Sequence, residues 1–194
     1  MSLLDTYRSL TEKLKLALNF IDKNTYSKFM LKVDDDHFAN IKKLAIWLSW
    51  FDSLNYIPKN FYMGNMAIRR VTKLGKWRDR MYQQSFYPNY GNGASGYLLS
   101  QNLVKYLVKN EEYNFPYPNE DASIGIWLDR AKKRGDLEIN QNTDKIWYFD
   151  TKNTLFTWNG FTNCTFDGRF IIGHNLVPED FSWCLKLQIK FDNI

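Results

Sequence analysis

Three consecutive carboxylates, Asp34, Asp35 and Asp36, follow directly on the largely apolar run Lys28-Phe29-Met30-Leu31-Lys32-Val33. Like charges this close disfavour joint ionisation unless something neutralises them. A divalent cation is one such partner, and oxygen donors suit Mg²⁺ or Mn²⁺. A solvated acidic turn is the other reading of the same residues. Two rival acid chemistries fit badly. A calcium loop of the helix-loop-helix kind wants alternating acids followed by Gly, and Ala39-Asn40 do not comply. A phosphatase-type Asp-x-Asp-x-Thr nucleophile would need Thr where Phe38 stands. A second acidic pair, Glu120-Asp121, precedes an apolar stretch in the manner of a helix head, where negative charge is favoured by the macrodipole.

These residues need a scaffold, and the hydrophobic spacing predicts one. Leu10, Leu14, Leu18 and Ile21 recur at helical intervals from Thr6 to about Asp22. Residues 28–33 read as a buried strand running into the aspartates. Ile41, Leu44, Ala45, Leu48 and Phe51 mark a helix from Asn40 to Leu54, closed by Pro58. Phe61 to Ala67 reads as a strand. From Arg69 to Asn92 the pattern dissolves into basic and aromatic residues, as in a loop over a cleft. Gly91, Gly93 and Gly96 then lead into a short strand, Tyr97-Leu98-Leu99, and Ser100 is placed to cap a helix to Lys109. Glu120-Asp121 head a helix through Ile124, Trp127, Leu128 and Ala131 that Gly135 stops. Strands are expected at 146–149 and 169–172, and Pro178-Glu179-Asp180 opens a last helix. Strands alternating with helices predict one α/β domain over 1–194 with a mainly parallel sheet. In such sheets ligands sit beyond the carboxyl ends of strands, where the aspartates fall.

The composition agrees with a packed domain. Apolar residues make up 44% of the 194 and charged residues 24%, which excludes collagen, coiled-coil and disulfide-scaffold classes. Aromatic residues reach 17%, enough to fill a core and still line a cleft that stacks on sugar faces. The net charge of +5 is scattered in doublets such as Lys42-Lys43 and Arg69-Arg70, which suits solvated faces or attraction for a phosphate-bearing ligand. No basic stripe is dense enough to make nucleic acid the expected partner. Cys164 and Cys184, the only cysteines, could pair or stay as buried thiols, and Asn163-Cys164-Thr165 is a formal glycosylation acceptor. Neither a membrane span nor a secretory signal is expected from these residues.

The segment 28–38, ending Val33-Asp34-Asp35-Asp36-His37-Phe38, resembles the metal-binding signature of the β-1,3-galactosyltransferase and N-acetylglucosaminyltransferase family, relatives of the fringe enzymes. Asp5-Thr6-Tyr7-Arg8-Ser9-Leu10-Thr11-Glu12-Lys13 is similar to that family's D-x-Y-x-N-L-T-x-K segment, with Ser9 in the Asn place. Tyr87-Pro88-Asn89-Tyr90, followed by Gly93 to Ser100, resembles its Y-P-x-Y and G-x-G-Y-V-L-S blocks. Glu120-Asp121-Ala122-Ser123-Ile124-Gly125 is similar to its E-D-V-x-x-G block. The matches keep the family's order from about Asp5 to Arg130.

The resemblance implies an A-type glycosyltransferase fold, a Rossmann-like mixed sheet flanked by helices. It implies an inverting, Mn²⁺-dependent hexosyltransferase (Mg²⁺ being the alternative ion). The expected donor is UDP-galactose or UDP-N-acetylglucosamine, and the expected acceptor a glycan or glycoprotein hydroxyl. Asp36 takes the metal, Asp34 the nucleotide ribose or a metal-bound water, and Asp35 stands beside them on the donor side. His174, in Ile171-Ile172-Gly173-His174, is the candidate late histidine ligand, while His37 is expected to point away. Asp121 matches the family's base, with Glu120 orienting the acceptor or holding the loop. Gly93 and Gly96 would let the backbone approach the sugar, with the rings of Tyr90 and Tyr97 beside it and Trp77 at the acceptor edge. The family works in the Golgi lumen, with the cytoplasm as the alternative for a chain without its own anchor.

One departure bears on the donor. Only 33 residues precede Asp34, room for one helix and one strand, whereas the family places a strand-helix-strand unit there to hold the uridine. The expectation is a fold truncated at the front. A catalytically inactive relative, acting as a carbohydrate-binding or complex-forming subunit, is the alternative.

Overall fold

The structure, a computed structural model, describes residues 6–54, 57–137, 146–152, 155–160, 171–174, 176–177, 179–182 and 184–186. A 3₁₀ turn at Tyr7–Ser9 feeds helix α1 (Leu10–Asn24), which buries Leu14 and Leu18 as the spacing predicts. Strand β1 (Phe29–Lys32) runs into the aspartates, and the two-residue β2 (Phe38–Ala39) follows them. Helix α2 (Ile41–Ser53) starts at Asn40, whose side chain accepts from the Lys43 N–H at 2.9 Å.

The expected strand 61–67 splits at Asn65 into β3 (Phe61–Gly64) and β4 (Met66–Ala67), because the chain leaves the main sheet there to pair with β5 (Tyr90–Gly91). Strand β6 (Tyr97–Ser100) leads straight into α3 (Gln101–Lys109). Ser100 occupies the cap position, but its hydroxyl accepts from the Phe61 N–H at 3.0 Å and so stitches β6 to β3. Helix α4 (Glu120–Lys133) ends at Gly135, at φ 78°, where the Gly135 N–H reaches the Lys132 carbonyl and the Asp136 N–H the Ala131 carbonyl. Strands β7 (Trp147–Asp150), β8 (Phe156–Gly160) and β9 (Ile172–His174) complete the set. Residues 179–182 and 184–186 are helical, in line with a closing helix. Arg169, Pro178, Asn163 and Cys164 lie outside the described residues, and with them the Cys164–Cys184 question, whereas Cys184 is buried near Phe38 and Leu176.

The main sheet runs β1-β6-β3-β7, mixed as an A-type glycosyltransferase fold implies. The expectation of a mainly parallel sheet is corrected. β6 pairs antiparallel with both β1 and β3, and only β3 with β7 is parallel. The reason is local: no α-helix intervenes between β3 and β6, so β6 returns antiparallel beside β3 without a crossover.

Both faces of this sheet are covered, which is why β3 and β6 read as continuous apolar runs. Met30, Tyr62, Tyr97 and Leu99 face α1, α3 and α4, where Leu103, Leu107, Ile124, Trp127 and Leu128 close the larger core. Phe61, Met63 and Leu98 face Leu44 and Leu48 of α2 together with Phe156, Ile171 and Ile172. Each such side chain contributes about 1.5–3 kcal/mol of burial. A second sheet, β2-β9-β8, pairs Phe38 with Gly173 and Ala39 with Ile172. That pairing brings residue 174 beside the turn at 34–37.

Candidate active site

β1 delivers Lys32 to the edge of the aspartate turn. Its ammonium lies 2.6 Å from Asp34 Oδ1 and 2.8 Å from Glu120 Oε1. Burial by itself would pull this lysine down, but Glu120 and Asp34 outweigh it and hold the pKa above the ordinary lysine value. A partly buried cation thus ties the motif strand to the head of α4. Glu120 is itself buried, while the Asp34 side chain is 43% exposed.

The next turn gathers a second group. His37 Nδ1 lies 2.9 Å from Asp36 Oδ1 and accepts from the Asp34 N–H at 3.2 Å. His37 Nε2 donates to the Ala94 carbonyl at 3.2 Å. His174 Nε2 lies 3.3 Å from Asp36 Oδ2, and the two imidazole rings are 4.8 Å apart. Ligand atoms of Asp36, His37 and His174 fall within 4.8 Å of one another. The expectation that His37 points away is therefore corrected: the Ala94 carbonyl draws the ring inward, onto Asp36. Asp34, expected near the metal, is not in this cluster, because its carboxylate is held by Lys32. Asp35 and Asp36 line an open hollow of about 490 Å³ with Leu176 and Phe181.

A single turn of 3₁₀ helix, Gly93–Ser95, joins this cluster to the acidic pair. Ala94 offers its carbonyl to His37, and the Gly93 N–H donates to Asp121 Oδ2 at 2.9 Å. A Cβ at Gly93 would meet Glu120 Oε1 at 2.9 Å, so a larger residue there would push that carboxylate from its place against Lys32. Gly96 is required by conformation, with φ at 71°. Asp121 Oδ1 accepts from the Ala122 N–H at 2.7 Å. Burial, then the neighbouring Glu120 charge, push the Asp121 carboxyl up to about 7, against the pull of the two N–H donors and Lys32. A carboxyl poised there can take a proton near neutral pH.

The rim was partly legible. Trp77 is exposed beside the head of α4, and its carbonyl accepts from Asn119 Nδ2 at 3.1 Å. Asn119 also donates to the Tyr87 hydroxyl at 3.1 Å, which in turn donates to the buried Asp79 at 3.0 Å. Asp79 further accepts from the Met81 and Tyr82 N–H groups, so one buried carboxylate organises the 69–92 excursion. Tyr90 is buried on the Tyr87 ring. Tyr97 is corrected: fully buried against Tyr62, it belongs to the core and cannot lie beside a ligand. Its hydroxyl has no hydrogen-bond partner among the described residues.

The family model described as Galactosyltransferase matches residues 1–135, a stretch that holds the aspartate turn, the 93–96 turn and the Glu120-Asp121 pair. The chain belongs to the galactosyltransferase family. Within it, the chain is 30% identical over 181 residues to beta-1,3-galactosyltransferase 6 of Mus musculus, covering 92% of this chain and 50% of that protein. It is 34% identical over 125 residues to UDP-GalNAc:beta-1,3-N-acetylgalactosaminyltransferase 2 of Xenopus tropicalis, covering 64% of this chain and 25% of that protein. It is 30% identical over 132 residues to hydroxyproline O-galactosyltransferase GALT2 of Arabidopsis thaliana, covering 66% of this chain and 19% of that protein. The chain spans half or less of the length of these curated relatives. His174 lies beyond the family-model match.

Sequence reasoning passed over Lys32, Asp79 and Asn119. A lysine inside an otherwise apolar strand is the one signal that could have flagged the first. Asp79 and Asn119 sit in polar stretches where such residues ordinarily make turns.

Proposed function

We propose that this chain carries the catalytic part of a metal-dependent, inverting hexosyltransferase. It would move a hexose from a UDP-sugar to a hydroxyl of a glycan or glycoprotein, in the Golgi or secretory lumen. Galactose is the first donor to test, given the names of the relatives. The observation that carries this reading is the Gly93–Ser95 turn, which holds the Asp36 cluster with one residue and Asp121 with its neighbour.

The donor set of Asp36 and His174 fits a divalent ion such as Mn²⁺, since a carboxylate and an imidazole nitrogen already lie 3.3 Å apart there. When bound, such an ion would stabilise the charge of a departing diphosphate. The protein's own residues do the rest. Asp121 accepts the proton of the acceptor hydroxyl as that oxygen bonds to the anomeric carbon and the bond from that carbon to the UDP phosphate oxygen breaks. Glu120, pinned by Lys32, fixes the head of α4 and raises Asp121's appetite for the proton. Asp34 keeps one oxygen on Lys32 and is exposed enough to meet the nucleotide ribose. Asp35 stands on the same side, at the hollow. Trp77 and Asn119 form the acceptor rim.

Transfer from UDP-galactose in the presence of Mn²⁺, monitored by UDP release, tests this reading. Asp121→Asn is expected to lower kcat by about 10²–10⁴-fold while leaving UDP binding in place. Calorimetry that finds no Mn²⁺-dependent UDP binding, or finds it undiminished in Asp36→Ala, would remove the proposal.

A further inference from the structure

We propose that His37 is itself a ligand, through Nδ1, so that the ion is held by two imidazoles and the Asp36 carboxylate. The inference rests on the metal-dependent reading above and deepens it. It starts from a proton count. Each ring nitrogen of His37 faces a backbone group of fixed hydrogen-bonding sense. The Ala94 carbonyl can only accept, which places a proton on Nε2. The Asp34 N–H can only donate, which leaves a lone pair on Nδ1. That lone pair confronts Asp36 Oδ1 at 2.9 Å, acceptor against acceptor.

Two acceptors at that distance repel unless a positive centre lies between or beside them. The Asp34 N–H is one such centre, and a metal ion that took the Nδ1 lone pair in its place would be a stronger one, with His174 already at the other carboxylate oxygen. The Ala94 contact is the usual companion of a metal-bound histidine, whose second nitrogen donates to a backbone carbonyl and so fixes tautomer and ring angle. The side chain of His37 is wholly buried and that of Asp36 is 42% exposed, so the ion would enter from the Asp36 side with His37 at the floor. Two nitrogens and one carboxylate favour Mn²⁺, Co²⁺ or Zn²⁺ over Mg²⁺, which prefers an all-oxygen shell.

Pulsed electron paramagnetic resonance of the Mn²⁺-loaded chain counts the imidazole nitrogens coupled to the ion without any turnover. Two coupled histidines are expected in the wild type, and one in each of His37→Asn and His174→Asn. Calorimetry should show Mn²⁺ bound at least roughly tenfold more weakly in His37→Asn, with a smaller gap between Mn²⁺ and Mg²⁺. A wild type with Mn²⁺ bound but a single coupled histidine overturns the proposal and leaves the metal-dependent reading standing. A wild type that binds no Mn²⁺ overturns both. The wild-type count decides the matter even where a substitution at this buried position fails to fold.

Discussion

The proposed base, Asp121, stands in surroundings that favour its acid form. On the acid side the rate, read as kcat/KM, should rise with pH through about 7 as the carboxyl ionises. Stability should run the other way. The unfolded carboxyl titrates near 3.8 and the folded one near 7, so across that window the folded chain keeps a proton that the unfolded chain has lost. Folding therefore loses stability as pH rises from about 4 to 7, and beyond that the loss is complete. The melting temperature of Asp121→Asn, relative to wild type, is expected to climb across that same window; a flat difference would refute the linkage. Lys32 is the counterweight. Lys32→Met leaves Asp34 and Glu120 without their shared cation and removes a charge that holds Asp121 down, so the acid limb should move to higher pH. Its cost in stability, measured by urea unfolding, should be about 2 kcal/mol, under the value for a fully buried pair because Asp34 is half exposed.

The helix carrying this base is docked by contact rather than by capping. Gly125 of α4 passes so close to the Tyr87–Tyr90 segment that a Cβ would meet Tyr90 Cβ at 2.7 Å and the Asn89 carbonyl at 2.8 Å. Alanine would improve helix propensity by about 1 kcal/mol, but overpacking against backbone costs about 1–3 kcal/mol. Gly125→Ala is accordingly expected to lower both stability and transfer, the second through a displaced Asp121; urea unfolding and UDP release would check each. At this scale much was legible. Helices α1, α2 and α4, with their Asn40 and Gly135 boundaries, follow from spacing and capping, which are local properties. Strand pairing is not local. Nothing in Tyr97-Leu98-Leu99 says that β6 returns antiparallel between β1 and β3, or that Tyr97 faces the helix layer. The direction of His37 was hidden for the same reason, since it is set by a carbonyl at Ala94, far along the chain. The acidic residues themselves were found because their chemistry is written in adjacent positions.

Over the whole molecule, the site is assembled from segments that only the finished fold brings together. Asp36 precedes β2 and His174 ends β9, and the β2–β9 pairing joins them. The proposed ion would hold both ends of that pairing in the folded chain and neither in the unfolded one. At a hundred times its dissociation constant Mn²⁺ should therefore add about 2.7 kcal/mol of stability. Thermal unfolding with and without the ion measures it, and Asp36→Ala should abolish the gain. Among the described residues no helix is long and apolar enough to cross a membrane.

The Gly93–Ser95 turn is three residues long, and its brevity limits how such an enzyme can be altered. A longer strap would let donor grip and proton acceptance be adjusted one at a time. If Asp36 and Asp121 act as proposed, a substitution that tilts the strap retunes both, and selection for a new acceptor must carry the donor side along with it.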